Sequence, residues 1–327
     1  MNILLLAAAL ALAPAGISAA AEARAGGSFL RADDHRVAEI AHRLALKGAR
    51  FCPVLRPWTG LLFHHVDEYE AAGRAAMIDR YQLGRGLGVL SVVGGSPAGE
   101  AGLVAGDVIL SVNGEAIRRD STLAPSTATA RRAVLESAEM QIEQAIEQGP
   151  VDLLVQRAGA IRSVGLGSTP ACPSRIRLAR SRQTNAFANG RYVTLTTAVL
   201  EFVRSDDELA VIIAHEMAHN ILEHPDRLRE QDVPRGLLRG FGTNAAKIRA
   251  TEEEADRLGI RLVWAAGFDA SAAIPFWRRF YERFDGPRIF RTHPTLAARE
   301  RIIAETLASL DAGAQGPELG KGALADR

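Results

Sequence analysis

The chain has 327 residues, enough for two modest domains with real cores. Lys plus Arg (39) balances Asp plus Glu (38), and no basic run interleaves with aromatics, which excludes a nucleic-acid partner. Beyond the N-terminus no stretch reaches the ~18 apolar residues of a membrane span, so no transmembrane span is expected in the mature chain and only peripheral membrane association stays open.

Residues 1–20 read as a secretory signal peptide. Ile3 to Ala13 is an apolar run too short to span a bilayer, and Ser18-Ala19-Ala20 fits a small-residue cleavage site. No Lys or Arg precedes the run, so the terminal amine supplies its only charge. No Cys follows it, which argues against a lipoprotein anchor. The expected location is periplasmic or otherwise secreted. Residues 27–83 are expected to form an N-terminal helical segment packed on the main domain. It is led by an amphipathic helix over Asp33 to Leu46 with Val37, Ile40, Ala41 and Leu44 on one face. His64 and His65 would face opposite ways in a strand, which disfavours joint metal binding and leaves surface or half-buried packing. Cys52 and Cys172 are each followed by Pro. In a secreted protein an even pair suggests a disulfide; the alternative is two unpaired buried thiols.

Residues 84–167 change character. Gly86-Leu87-Gly88-Val89 turns into a β-type run, Ser96 to Leu103 reads SPAGEAGL, and Gly106 to Gly114 reads GDVILSVNG, a strand closed by an Asn-Gly turn. A helical pattern over Arg131 to Gln148 and a strand over Val151 to Gln156 follow. This string resembles a PDZ domain, closest to those of bacterial envelope proteases. The resemblance implies a small inserted β-barrel with a strand–helix groove that takes C-terminal peptide ends by β-augmentation. Gly86, Leu87, Gly88 and Val89 would then be the loop whose amides receive the terminal carboxylate. The alternative is a PDZ fold used only as a spacer or lid.

From residue 173 to 311 the pattern is mainly helical, with strand-like runs over Ile176 to Thr196. Ser205 to His224 carries His215-Glu216-Met217-Ala218-His219 in an apolar helical context. Ser205 and Glu208 are spaced as a capping box, and Pro225 is expected to stop the helix. Histidines four apart share one helix face and offer two imidazoles to one metal ion. Glu216, rotated about 100° from His215, sits beside the open position and is placed to take a proton from water. Residues 225–249 read as a polar excursion over this helix. Further helices are expected over Thr251 to Ala265, Ala272 to Phe284 and Leu296 to Leu310, and residues 312–327 as a flexible tail.

Two histidines need a third protein ligand. A metzincin extension would put Gly at position 222 and His at 225, where this chain has Leu222 and Pro225. In Thr251-Glu252-Glu253-Glu254-Ala255-Asp256, Glu252 and Asp256 align on one helix face, as a ligand with a supporting carboxylate or as a solvated acidic helix start. His224, five residues past His219, is expected off the metal face. The HEMAH helix, EEEADRLG, Arg291-Thr292-His293-Pro294 and NAFANGRYVTLTTAVLEF, in this order, resemble the M48 family of zinc metallopeptidases. The resemblance implies an α+β chain: a zincin-type, mainly helical peptidase domain with a small edge sheet. It implies one Zn2+ per chain held by His215, His219 and Glu252, with Glu216 as general base and Asp256 behind a ligand histidine. By the same resemblance His293 lies near the metal, either stabilising the oxyanion or closing over the ion as a self-inhibiting ligand. Asn185 and Ala186 would pair with the substrate backbone.

The expected function is a secreted metalloendopeptidase acting on misfolded or unassembled envelope polypeptides, its PDZ-like domain selecting or gating them. The competing expectation is a latent protease serving mainly as a peptide-binding, chaperone-like module. A serine protease with a PDZ domain is the weakest expectation: the chain has no Gly-x-Ser-x-Gly element, and its one strong constellation is metal-type.

Overall fold

A computed structural model describes residues 19–69, 71–83, 86–117, 127–233, 242–284 and 294–313. The expected signal segment lies almost wholly outside these residues, as do His293 and the tail beyond residue 313.

The first core belongs to the helices. α1 (Ala19–Lys47) buries Val37, Ile40, Ala41 and Leu44 as its periodicity predicts. They pack with Leu209, Ile213 and Met217 from the later HExxH helix in one cluster. The chain then forms β1 (Arg56–Trp58), β2 (Leu61–His64) and α2 (Ala71–Tyr81). Next come β3 (Leu87–Val92), the short α3 (Pro97–Glu100), β4 (Val108–Val112) and β5 (Glu115–Ala116). α4 (Ala128–Ile146), β6 (Val151–Arg157) and β7 (Ala160–Leu166) complete the second lobe. Its sheet runs β2-β3-β4-β6-β7 with β5 on β4, all antiparallel, and it stays open rather than closing into a barrel. Leu61, Phe63, Leu87, Val89, Ile109, Leu153 and Leu166 from the sheet meet Leu135 and Ile142 of α4 in a separate core.

β2 is the unexpected member of this lobe. Leu61–His64 is buried at all four positions, so it lacks the alternation that marks a half-exposed strand. His64 and His65 are fully buried, not at the surface. His64 Nδ1 lies 2.9 Å from the Tyr69 hydroxyl, and His65 Nδ1 accepts from the Asp67 amide at 3.2 Å.

The lobe leaves and rejoins the peptidase side at one place. β1 pairs antiparallel with β8 (Thr169–Ala171), and Cys52 and Cys172 are bonded, with Cα atoms 5.6 Å apart. β9 (Arg175–Ala179), β10 (Ala186–Ala188) and β11 (Tyr192–Thr196) form a three-stranded sheet in the order β10-β11-β9. A charged seam joins this sheet to α4. Arg175 and Arg191 both pair with Glu143, Arg177 reaches Glu136 at 2.6 Å, and the Tyr192 hydroxyl donates to Glu139.

α5 (Thr197–Phe202) leads to α6 (Asp206–Ile221), which carries the HExxH residues. α7 (His224–Glu230) and α8 (Gly242–Ala265) occupy much of the stretch read as a polar excursion. Pro225 does not simply end a helix: α6 stops at Ile221, and Pro225 opens α7, where a missing N–H costs nothing. α9 (Ala273–Phe284) and α10 (Leu296–Gly313) close the core over α8. Among the described residues no helix is long and apolar enough to cross a membrane.

Candidate metal centre

α6 starts on a satisfied cap: Ser205 Oγ accepts from the Glu208 amide at 3.2 Å, and Glu208 Oε2 accepts from the Arg204 amide at 2.8 Å. Three turns later the helix presents His215 and His219 on one face, with Nε2 atoms 3.3 Å apart. α8 packs across α6 and supplies the third group. Glu252 Oε2 lies 3.5 Å from His215 Nε2, and Oε1 lies 3.6 Å from His219 Nε2. Ligands at about 2.0–2.1 Å from a tetrahedral zinc ion stand about 3.3–3.4 Å from one another. The three groups therefore fit one such ion without rearrangement.

Gly259 is what lets α8 come so near. It lies two turns after Glu252, and a Cβ there would stand 3.1 Å from the His215 amide nitrogen and 3.2 Å from its Cα. The close crossing needs a residue without a side chain.

Behind the three groups is a buried carboxylate–guanidinium layer. Asp256 Oδ1 sits 3.0 Å from His215 Nδ1. Arg299, 2 % exposed, donates from Nε to Asp256 Oδ2 at 2.8 Å and from Nη2 to Glu252 Oε2 at 3.3 Å. Its guanidinium stacks 3.9 Å from the Trp277 ring, which stands edge-on to His215. On the other side, His219 Nδ1 lies 2.9 Å from His224 Nδ1. His224 Nε2 in turn is 3.0 Å from Glu254, which Arg227 holds at 2.7 Å.

The electrostatics follow from this layout. Burial opposes charge on the His215 imidazole, but Asp256 and Glu252 outweigh it and lift its pKa to about 10. Burial pushes His219 down to about 3 against the pull of Glu252, with the charge of His215 adding to the fall. Without metal, the pair thus holds one proton where a divalent cation fits.

A cavity of about 630 Å³ opens over these groups, lined by His215, Glu216, His219 and Glu252 and, opposite, by Ala186, Phe187 and Ala188 of β10. β10 is the outermost strand of its sheet, with Ala186 opposite Leu195 on β11. Ala186 lines the cavity. Asn185 stands one residue outside it, and its backbone N–H and C=O are both engaged by Thr196. Asn220, next to His219, accepts from the Gly190 amide at 2.7 Å and so ties the β10–β11 turn to α6.

Gly86, Leu87, Gly88 and Val89 do not form a carboxylate loop. They lead into and lie on β3, an inner strand with β2 on one side and β4 on the other. Leu87 and Val89 are fully buried, and the Val89 amide already donates to Asp107 O at 2.8 Å. A Cβ on Gly86 would fall 2.1 Å from Ile109 O, and one on Gly88 2.2 Å from Leu83 Cδ2, so these glycines serve close packing. The outermost strand beside α4 is β2. There a second cavity of about 300 Å³ is lined by Trp58, Thr59, Phe63, Ile142 and Ile146, with Arg175 and Arg191 on the peptidase side.

Arg299, Trp277, Gly259 and Glu254 were not picked out from the sequence, and His224, expected off the metal face, instead lies 2.9 Å from His219. Gly259 and Glu254 lie inside the quoted EEEADRLG string, so their signal was present. Arg299 and Trp277 come from distant helices and carried none.

Residues 147–234 and 237–306 match the model of peptidase family M48. The chain is similar to that family over just under half of its length. A PDZ-domain model matches residues 88–133 of this chain. The beta-barrel assembly-enhancing protease of Yersinia pestis is 26 % identical to it over 166 residues, 41 % of this chain and 34 % of that protein. Its counterpart in Escherichia coli strain K12 is 25 % identical over 172 residues, 42 % of this chain and 35 % of that protein. A Vibrio cholerae protein of the same type is 32 % identical over 148 residues, 35 % of this chain and 31 % of that protein. The chain spans about a third of the length of these relatives. A solved HtrA3 PDZ domain overlays on 36 % of this chain and 88 % of its own length with a TM-score of 0.24 and 19 % identity, too loose a match to bear on the fold.

Proposed function

We propose that the chain is a zinc-dependent endopeptidase of the cell envelope, with His215, His219 and Glu252 as its metal ligands and Glu216 as its general base. The observation that carries this is the convergence of two imidazole nitrogens, 3.3 Å apart, and one carboxylate, whose two oxygens lie 3.5 and 3.6 Å from them, in a cavity that Glu216 also lines. A zinc ion held there supplies a Lewis acid for the scissile carbonyl and the attacking water. Glu216 takes the proton from that water and passes it to the leaving amine. An extended substrate lies along the outer edge of β10, where Ala186–Ala188 offer backbone groups and Phe187, 38 % exposed, offers an apolar surface for a substrate side chain. Asp256 holds the His215 ring, leaving its Nε2 for the metal.

The Cys52–Cys172 bond supports an oxidising compartment, in keeping with a signal segment over residues 1–20. The relatives are named as proteases that enhance beta-barrel assembly, and such barrels belong to outer membranes. Misfolded or unassembled envelope polypeptides are accordingly the proposed substrates. The PDZ-like lobe selects them by adding a peptide end to the outer edge of β2, against α4 and the cavity beside it.

The test is Glu216→Gln with zinc content measured alongside. Proteolysis should be lost with one equivalent of zinc retained. Retained cleavage removes Glu216 from the chemistry, and loss of zinc along with activity makes the variant a test of binding instead.

A further inference from the structure

We infer that His224, anchored by Glu254 and Arg227, is a positioning residue that fixes the tautomer of His219 and so aims its Nε2 lone pair at the metal. This rests on the metal centre proposed above and adds a second supporting branch to it.

Arg227 only donates, and it fixes the Glu254 carboxylate at 2.7 Å. That carboxylate only accepts, so the N–H of a neutral His224 ring belongs on Nε2, 3.0 Å away. The His224 Nδ1 lone pair then faces His219 Nδ1 at 2.9 Å. Two ring nitrogens at that distance need one hydrogen between them, and it must come from His219. A His219 ring with its hydrogen on Nδ1 is bare at Nε2, the atom that faces His215 and Glu252.

The backbone is built to deliver this contact. On an unbroken helix, position 224 would point away from 219. α6 instead ends at Ile221, and Glu223 takes a left-handed conformation at φ 53°. That conformation is disfavoured for a residue with a side chain. It folds the chain back so that α7 starts at His224, whose side chain is 1 % exposed beneath the His219 ring. The two ligand histidines are thus held by different means: His215 by a carboxylate from α8, His219 by an imidazole that relays a carboxylate.

The experiment compares zinc affinity, by competition with a chromogenic chelator, for the full-length wild type and for His224→Leu, His224→Asn and Glu254→Ala. Leu keeps the volume and removes the acceptor. Asn keeps an acceptor at the Nδ1 position. The inference expects His224→Leu to weaken zinc binding about 10- to 100-fold, with His224→Asn within about threefold of wild type and Glu254→Ala between them. Cobalt-substituted protein should show a changed visible spectrum in His224→Leu and the wild-type spectrum in His224→Asn. Equal affinities in all four proteins overturn the inference and leave the metal centre standing. Equal losses in His224→Leu and His224→Asn also overturn it, since packing alone would then explain them. A wild type that takes up no zinc overturns the metal centre itself.

Discussion

Arg299→Met removes the guanidinium buried between Glu252 and Asp256. The guanidinium is 2 % exposed, and its two carboxylate partners are 5 % and 4 % exposed. Each partner loses a hydrogen bond, at 2.8 Å to Asp256 and 3.3 Å to Glu252. Breaking a buried ion pair from one side costs about 3–5 kcal/mol, because the remaining charge stays buried and uncompensated. For a domain of this size each kcal/mol moves the unfolding midpoint by about 2–4 °C, so the metal-free variant should melt about 6–20 °C below wild type. Zinc neutralises Glu252 from the other side, so the deficit should shrink in the loaded protein. Arg299→Lys should recover little, since a single ammonium cannot bridge two carboxylates while stacking on Trp277. Scanning calorimetry of chelator-treated and zinc-loaded protein measures all of this. A metal-free Arg299→Met that melts within about 2 °C of wild type would refute the reasoning.

Gly259→Ala should push α8 off α6, because the new Cβ meets His215 backbone at 3.1–3.2 Å; chelator competition should read a zinc affinity lower by about tenfold or more. The metal-free protein should grow less stable as pH rises. His215 gains its stabilising proton with a folded pKa of about 10 against an ordinary value near 6.5. That contribution is full below about 6.5 and is lost as pH climbs through about 10. Urea midpoints across this window should fall for chelated protein and stay flatter with zinc bound or in Asp256→Asn. Cys52→Ser opens a closure spanning 120 residues. The chain-entropy model puts the loss at up to about 5 kcal/mol, and limited proteolysis should cut first near the stem at residues 52–58 and 169–172.

The metal centre was legible where chemistry follows local spacing. The four-residue step from His215 to His219 dictates a shared helix face, and Glu252 to Asp256 repeats the same arithmetic on α8. Spacing failed where the helix did not continue. His224 looks misaligned only if residues 219–224 are one helix, and the left-handed Glu223 breaks that premise. Nothing in a Glu residue announces a positive φ. Residues 225–249 misled for a related reason: their prolines and glycines suggest a loop, yet Pro225 initiates α7 and α8 begins at Gly242. In the PDZ-like lobe the glycines of Gly86–Val89 suggested backbone exposure, whereas they admit neighbouring chain into a packed inner strand. The true edge strand, Leu61–His64, is buried on both faces and carries no alternating signature. The disulfide was readable from count and compartment, while Arg299 comes from 43 residues past Asp256 and is placed only by tertiary packing.

The Cys52–Cys172 bond makes the PDZ-like lobe a pendant on a single stem. A gap of 5.6 Å between the two Cα atoms is one that a connector of two or three residues can close. Residues 53–171 therefore enter and leave the chain at one point, so an exchange of the lobe would leave the path of the helices that hold the histidines intact and would have to match the charged seam and the apolar contacts of Leu62 and Val93. On the proposed function, a lineage could change what the lobe selects without touching the residues that hold the metal.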